Sequence, residues 1–313
     1  MEFTLKLKEK GKVIYFNQQH SLKEKPFTAL LFLATLLSAS IIVLIAGFVF
    51  SEGYPVLKNG LVKMITGTKW YPLEGVYGIL PMIFGSIMVS LGALLIGIPL
   101  GLGTAIFLSE MAPPKIADLV RPALQVLAGI PSVVFGFFGM TVVVPLISNT
   151  LGGSGYSALS GSLVLGIMIL PTIINLAEDS IRSVPKELKE GSFALGATHW
   201  QTISKVILPA ASSGLLTAII LALGRAIGET MAVMMVTGNT PLLPTAETNY
   251  SLLKPLLIWL QPVRTLTSNI AIEMGYASGE HASALFACGI ILFVLIMVIN
   301  AAATLFIKKE VSR

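Results

Sequence analysis

Charge is scarce in this 313-residue chain. Asp, Glu, Lys and Arg make up 12% of it, against roughly 25% in ordinary soluble domains. Cysteine is scarcer still: the one thiol, Cys288, lies inside an apolar run, which excludes an internal disulfide or a cysteine metal cluster. No glycine-rich phosphate loop followed by Lys and Ser or Thr occurs, so hydrolysis of ATP by that route is excluded. No polar stretch is long enough to form a separate catalytic domain. His20, His199 and His281 fall in three different polar segments, which argues against a shared metal site. The lysines are not interleaved with aromatics, so nucleic acid is not expected as a partner.

What the chain has instead is apolar length. Hydrophobic residues form 54% of the sequence, more than a water-soluble fold can hide. They gather in six runs, over residues 27–50, 80–108, 123–147, 159–176, 213–236 and 282–307. A helix rises 1.5 Å per residue, so about 20 residues span the hydrocarbon. Each run, 18 to 29 residues long, is enough for one crossing. The first is too long for a secretory apolar core and lacks a small-x-small cleavage pattern, so it is predicted to be a retained helix. The expected fold is an all-α integral membrane protein with six transmembrane helices.

Six crossings put both termini on one side. That side would carry a basic N-terminal segment (1–26), residues 109–122, a loop at 177–212 and a short tail (308–313), which together hold 15 of the 21 Lys and Arg. The opposite side, of nearly equal length, holds 5. The asymmetry predicts cytoplasmic termini. Lys6, Lys8, Lys10, Lys12, Lys23 and Lys25 then lie against anionic membrane lipid, which accounts for much of the net charge of +5. Inside the runs, Pro99, Pro131, Pro145 and Pro171, with Gly97, Gly101 and Gly103, read as kinks and close helix packing. Gly224 and Gly228 would likewise let a neighbouring helix approach. Asn175 and Asn300, near helix ends, are expected to make interhelical hydrogen bonds rather than to bind ligands.

Two polar segments carry most information. In the loop at 177–212, Ser183 followed by Pro185 predicts a helix start, running through Leu188, Glu190 and Phe193 to Leu195. Gly196 supplies a left-handed stop. Thr198 and Gln201 have capping-box spacing and start a second helix through Ile203, Val206 and Ile207, with Pro209 at the entry to the fifth crossing. Helix, glycine turn, helix is a shape suited to being gripped by a partner, or to lying on the bilayer surface. The other segment, an outer loop at 237–281, is too long for a simple turn. A short helix over 268–274 would make it an ordered cap or a docking surface.

The fifth run alone is charged. Arg225 sits near its centre and Glu229 one turn on. An isolated charge there costs about 2.5 to 3.5 kcal/mol on insertion scales, so both are expected to face protein or water and to pair at a spacing of four. In the functional reading Arg225 offers a guanidinium fork to a tetrahedral oxyanion, and Glu229 holds Arg225 and relaxes as the anion passes. In the structural reading the two form a buried ion pair at a helix interface.

Glu190, Gly191, Ser192, then Gly196, then Val206, Ile207, Leu208 and Pro209 resemble, in identity and spacing, the loop motif of binding-protein-dependent ABC importer permeases. Gly191 and Ser192 stand where that motif has two alanines. The segment 223–233 with Gly238 and Asn239, the segment 128–136, Thr265-Leu-Thr and 270–275 resemble the phosphate-specific branch, and its PstC-type rather than PstA-type subunit. The likeness covers residues 27–307. It implies a type I importer permease in a prokaryotic plasma (inner) membrane, forming half of a pore with a PstA-type permease. A PstB-type ATPase dimer would use ATP and Mg, and a PstS-type external protein would deliver inorganic phosphate. This chain would bind no cofactor. It would grip the ATPase through Glu190, Gly191, Ser192, Gly196, Leu208 and Pro209. Sulfate or molybdate as cargo, a self-sufficient secondary transporter and a purely structural membrane protein are the rival readings.

Overall fold

A computed structural model describes residues 6–9, 12–15, 24–244 and 254–311. His20, Lys10 and Lys23 lie outside these residues. The chain divides into two compact units, 1–51 and 52–313. In the first, β1 (Lys6–Glu9) pairs antiparallel with β2 (Lys12–Tyr15), and α1 (Glu24–Thr66) begins. In the second, α1 ends with a kink at Gly60, and a two-stranded turn follows, β3 (Trp70–Tyr71) with β4 (Val76–Tyr77).

The rest is helical: α2 (Leu80–Ile106), α3 (Pro114–Gly129), α4 (Ser132–Phe138), α5 (Val144–Leu151), α6 (Ala158–Arg182), α7 (Lys186–Ala194), α8 (His199–Thr202), α9 (Leu208–Gly228), α10 (Met231–Val236), α11 (Lys254–Trp259), α12 (Leu266–Glu273) and α13 (Glu280–Val311). Among the described residues, six stretches are long and apolar enough to cross a membrane: 26–66, 80–111, 132–151, 158–182, 199–228 and 280–302.

The packing centres on α6, which lies chiefly against α2 and also against α9. The predicted glycine packing holds where α2 meets α6. A side chain at Gly97 would meet Ile169 at 2.8 Å and one at Gly101 would meet Ile173 at 2.6 Å. One turn separates each pair, so small residues on one helix admit branched residues of the other and close a core with Val89, Ala93, Val164 and Leu165. Among the described residues, a side chain at Gly103, Gly224 or Gly228 would meet nothing within 4 Å. The expected close contact at the last two is therefore not made by the described residues.

Three helical stretches widen to a π-turn just before a proline. Ala112, Val144 and Leu208 donate their N–H groups five residues back, to Phe107, Gly139 and Ile203, and precede Pro113, Pro145 and Pro209. A proline lacks an N–H and its ring clashes with the carbonyl four residues earlier. A local π-turn relieves that clash, and the chain continues straight into α5 and α9.

Two predicted crossings differ from the observed ones. The third run is not one helix. Ile130 and Pro131 are extended (ψ 128° and 141°), so residues 123–129 belong to α3 and the crossing starts at Ser132. Proline disfavours helical backbone in the residue before it, and this outweighs the apolar continuity of the run. The fifth run ends at Gly228, as described next. The two asparagines also differ from expectation: Asn175 is exposed, and the buried Oδ1 of Asn300 has no partner among the described residues.

Candidate functional site

The fifth run breaks where its charges lie. Glu229 is extended (φ −69°, ψ 131°), Thr230 follows at φ −115°, and α10 restarts at Met231. Glycine at 228 weakens the helix, and Glu229 stabilises the restart: its Oε1 accepts a hydrogen bond from the Ala232 N–H at 3.3 Å. A carboxylate at a helix start also meets the positive end of the backbone dipoles.

The expected intrahelical pair is thereby replaced. Arg225 sits in the last turn of α9, where the dipole favours a cation, and its Nη1 donates to Thr172 Oγ1 of α6 at 3.0 Å. Glu229, beyond the break, is not within ion-pair distance. Arg225 is exposed on the same open side of α9 as Leu221 and Gly228. A guanidinium carries five donors in a fixed fork. Its bond to Thr172 leaves the others directed at whatever shares that side.

Segments far apart in sequence meet around α10. A side chain at Gly136 of α4 would meet Ala232 Cα at 3.0 Å and Met235 Sδ at 2.6 Å, so glycine is what lets α4 lie against α10. Thr267 of α12 donates its hydroxyl to the Glu229 carbonyl at 2.9 Å. Arg264 Nε donates to the Asn239 carbonyl at 2.8 Å, just past the other end of α10. The short helix predicted at 268–274 is α12, capped by Thr265, whose hydroxyl accepts from the Ser268 N–H at 3.2 Å.

A buried polar hub, absent from the sequence reading, supports α12. Glu273 receives Arg264 Nη1 at 2.7 Å and Trp70 Nε1 at 2.8 Å, and His281 Nε2 stands 2.8 Å away. Asn269 Oδ1 accepts from Arg264 at 3.0 Å. The available signal was a lone carboxylate inside the apolar stretch 270–275. Its partners lie on both sides of it in sequence, Trp70 203 residues away, and carry no motif.

The loop between α6 and α9 is built largely as expected. Ser183 caps the end of α6, and α7 starts with Pro185 as its cap, since the fourth crossing continues to Arg182. Gly196 adopts φ +81°. Its N–H bonds Phe193 O at 2.9 Å and the Ala197 N–H bonds Ser192 O at 3.2 Å, a Schellman ending. Thr198 and Gln201 form the reciprocal capping box at 2.9 and 3.3 Å. Leu208 packs into a core with Ile181, Ile203 and Ile207, while Glu190, Gly191 and Pro209 are exposed. Ser192 shares a hydrogen bond with Thr202 at 3.0 Å.

Buried carboxylates brace this loop. Glu110, at the end of α2, pairs with Lys189 of α7 and faces His199 of α8 at 3.9 Å. Glu178 of α6 pairs with Arg121 of α3 at 2.8 Å and with Arg182 at 3.7 Å. A groove of about 640 Å³ runs between the two helices, past Leu188, Ser192, Gly196 and Gln201. Leu195 and Trp200 project into solvent, 90% and 63% exposed.

Comparison with known proteins decides the family. The model of the binding-protein-dependent transport system inner membrane component matches residues 97–311. The chain belongs to this permease family. It is 43% identical over 247 residues to the probable ABC transporter permease protein YqgH of Bacillus subtilis, covering 76% of each chain. It is 33% identical over 302 residues to the phosphate transport system permease protein PstC of Mesorhizobium japonicum, covering 88% of this chain and 89% of that one. With the PstC protein of Haemophilus influenzae it shares 32% identity over 318 residues, covering 94% and 96%. Its fold resembles a bacterial alginate ABC transporter (TM-score 0.57, 19% identity, 90% of this chain and 95% of that one). It also resembles the MetNI methionine transporter (TM-score 0.54, 20% identity, 77% and 99%). As a member of this permease family the chain is a multi-pass inner-membrane component, not an enzyme. The family works with a binding protein and a separate ATPase.

Proposed function

We propose that this chain is the PstC-type half of the translocation pathway of an ATP-driven inorganic phosphate importer, with both termini in the cytoplasm. The observation that carries the reading is the guanidinium of Arg225, exposed in the last turn of α9 where the fifth crossing breaks. Broken helices at mid-membrane are where transporters expose polar backbone and helix ends to cargo. Here a helix C-terminus carries a cation that a tetrahedral oxyanion can share bidentately. Resemblance to proteins named as phosphate permeases selects phosphate among such anions.

The open side of α9, bearing Gly224, Arg225 and Gly228, would face a PstA-type permease across the pathway. Glu229 then acts as a structural carboxylate that holds α10, not as a partner released by passing anion. In the cytoplasm the α7–α8 pair, led by Glu190, Gly191, Ser192 and Gly196 and rooted by Leu208 and Pro209, would seat in a PstB-type ATPase dimer, with Leu195 and Trp200 as apolar anchors. That dimer would use ATP and Mg, and this chain would need no cofactor. Closure of the ATPases would move the paired helices and open the pathway to a docked PstS-type binding protein. Hydrolysis would reset it.

The test is ATP-dependent uptake of labelled phosphate by proteoliposomes containing the full complex, with unlabelled sulfate as competitor. Uptake that sulfate leaves unchanged supports phosphate. Suppression by sulfate or molybdate at equal concentration transfers the assignment to another oxyanion, since a guanidinium alone does not choose among them. A complex that hydrolyses ATP and moves neither anion overturns the cargo reading.

A further inference from the structure

We infer that Thr267 and Arg264 are positioning residues for the translocation pathway: together they clamp both ends of α10 and so set the helix break beside Arg225. The inference rests on the pathway reading of Arg225.

Three contacts form the clamp. At the start of α10, the Thr267 hydroxyl donates to the Glu229 carbonyl at 2.9 Å. That carbonyl belongs to the non-helical link and has no place in a helical ladder, so the hydroxyl supplies the partner the break removes. Past the end of α10, Val263 N–H donates to Thr237 O at 2.9 Å and Arg264 Nε donates to Asn239 O at 2.8 Å. Asn239 has a positive φ of 52°, and its amide donates to Met234 O at 2.6 Å, which folds the end of α10 back toward Arg264. Six residues of helix are thus held at each end by one element, α12 and the strand-like residues before it.

The clamp is itself anchored. Leu266 N–H donates to Ser86 Oγ of α2 at 2.9 Å, and Glu273 ties Arg264 to Trp70 and to His281 of α13. Ser268 and Asn269 are fully buried and Glu273 is 5% exposed, so a shift of α12 would disturb the bonds made by Ser268, Asn269 Oδ1 and Glu273. An isolated six-residue helix has little stability of its own. Its position is therefore inherited from α12, and the break at 228–230 moves when α12 moves. Any displacement of the loop that contains α12 reaches Arg225 along this path.

The experiment uses two readouts in the assembled complex, one that depends on cargo and one that does not. The first is phosphate taken up per ATP hydrolysed, for Thr267→Val and Thr267→Ser. The second is the rate at which a membrane-impermeant thiol reagent labels Gly228→Cys, in each Thr267 background. Residue 228 has open space where a side chain would go, and the native Cys288 is fully buried, so within this chain the introduced thiol reports alone, and labelling is read on this chain after its separation from the partners. We expect Thr267→Val to change the labelling rate several-fold and to lower phosphate moved per ATP about fivefold, with assembly and basal ATPase kept. Thr267→Ser should restore both. Unchanged labelling and an unchanged ratio in Thr267→Val overturn the clamp. If that variant fails to assemble, Arg264→Lys decides: lysine retains the charge opposite Glu273 but replaces the two fixed nitrogens that bond Asn239 O and Glu273 by a single ammonium, which does not reproduce that fork. A wild-type ratio and labelling rate in Arg264→Lys then overturn the inference, and a changed labelling rate supports it. Failure of the phosphate reading looks different, since wild type itself would move no phosphate while the labelling difference persisted.

Discussion

The break around Glu229 and the loop around Gly196 are both short helix–link–helix devices, and they are finished to different degrees. Around the break, the irregular backbone meets partners within the chain, Thr267 for the Glu229 carbonyl and Arg264 for the Asn239 carbonyl, and Glu273 pairs with Arg264, although Asn239 Oδ1 and Asn269 Nδ2 are buried with no partner among the described residues. Around Gly196 the backbone is satisfied by its own turn and caps, but Leu195 and Trp200 stand in solvent and α7 has no buried residue. A device whose backbone is braced within one chain controls its own geometry. One left with bare apolar anchors is half of an interface. The first suits a site that must present a cation repeatedly, and the second a part that must follow another subunit.

The comparison breaks most sharply at Glu273. Removing its carboxylate leaves the largely enclosed Arg264 without a counter-charge, a change whose upper limit is about 3 to 5 kcal/mol, the cost for a fully buried pair. Glu273→Ala is expected to lower the thermal midpoint and yield of the purified subunit, even without its partners. Leu195→Asp, at the bare device, should leave the subunit's midpoint unmoved, because exposed substitutions typically stay within about 0.5 kcal/mol. If Glu273→Ala is silent, the enclosed device is not what holds α12.

Arg225→Gln comes next. A charge-assisted hydrogen bond contributes about 1.5 to 3 kcal/mol, so uptake should fall by about 10- to 100-fold. The midpoint should barely change, because Arg225 is exposed and bonds only Thr172 among the described residues. Loss of assembly together with transport would return Arg225 to the structural reading. At the loop, Leu195→Asp should weaken ATPase binding roughly tenfold, the usual cost of truncating an apolar anchor. Titration of the solubilised complex measures it.

The two devices also differ in how readable they were. The loop's order is local: proline, glycine and a Thr–Gln spacing of three each act within one turn, so Gly196 and the capping box could be placed from sequence. Its start moved, because α6 runs on to Arg182 with Ser183 as its cap, and its second helix runs without a break through the π-turn at 203–207 into α9. The break is not local. Residues 213–236 read as one apolar helix, and nothing in their periodicity shows that Glu229 turns to cap α10 while Thr267, 38 residues on, takes its carbonyl. Charge spacing therefore suggested an Arg225–Glu229 pair that the structure replaces. The Ile130–Pro131 break had a local signal, but hydropathy outweighed it. The Glu273 hub was illegible for the same reason as the break: its partners come from β3, α13 and the residue before Thr265.

The smallest effect tests whether the loop's order is as self-contained as its hydrogen bonds indicate. Thr198 accepts from the Gln201 N–H, and Gln201 returns a bond to the Thr198 N–H. Thr198→Ala removes the first of these and costs about 1 kcal/mol. Since α8 is one turn long and exposed, that loss should appear as local fraying rather than as global unfolding. Amide exchange at residues 199–202 is expected to quicken about fivefold, the rate equivalent of 1 kcal/mol, with the thermal midpoint unchanged. Unchanged exchange would mean that the contacts of Glu110 with Lys189 and His199, not the cap, hold the turn. The loop would then be braced from α2 in the way α10 is braced from α12, and the contrast between the two devices would narrow to their exposed anchors.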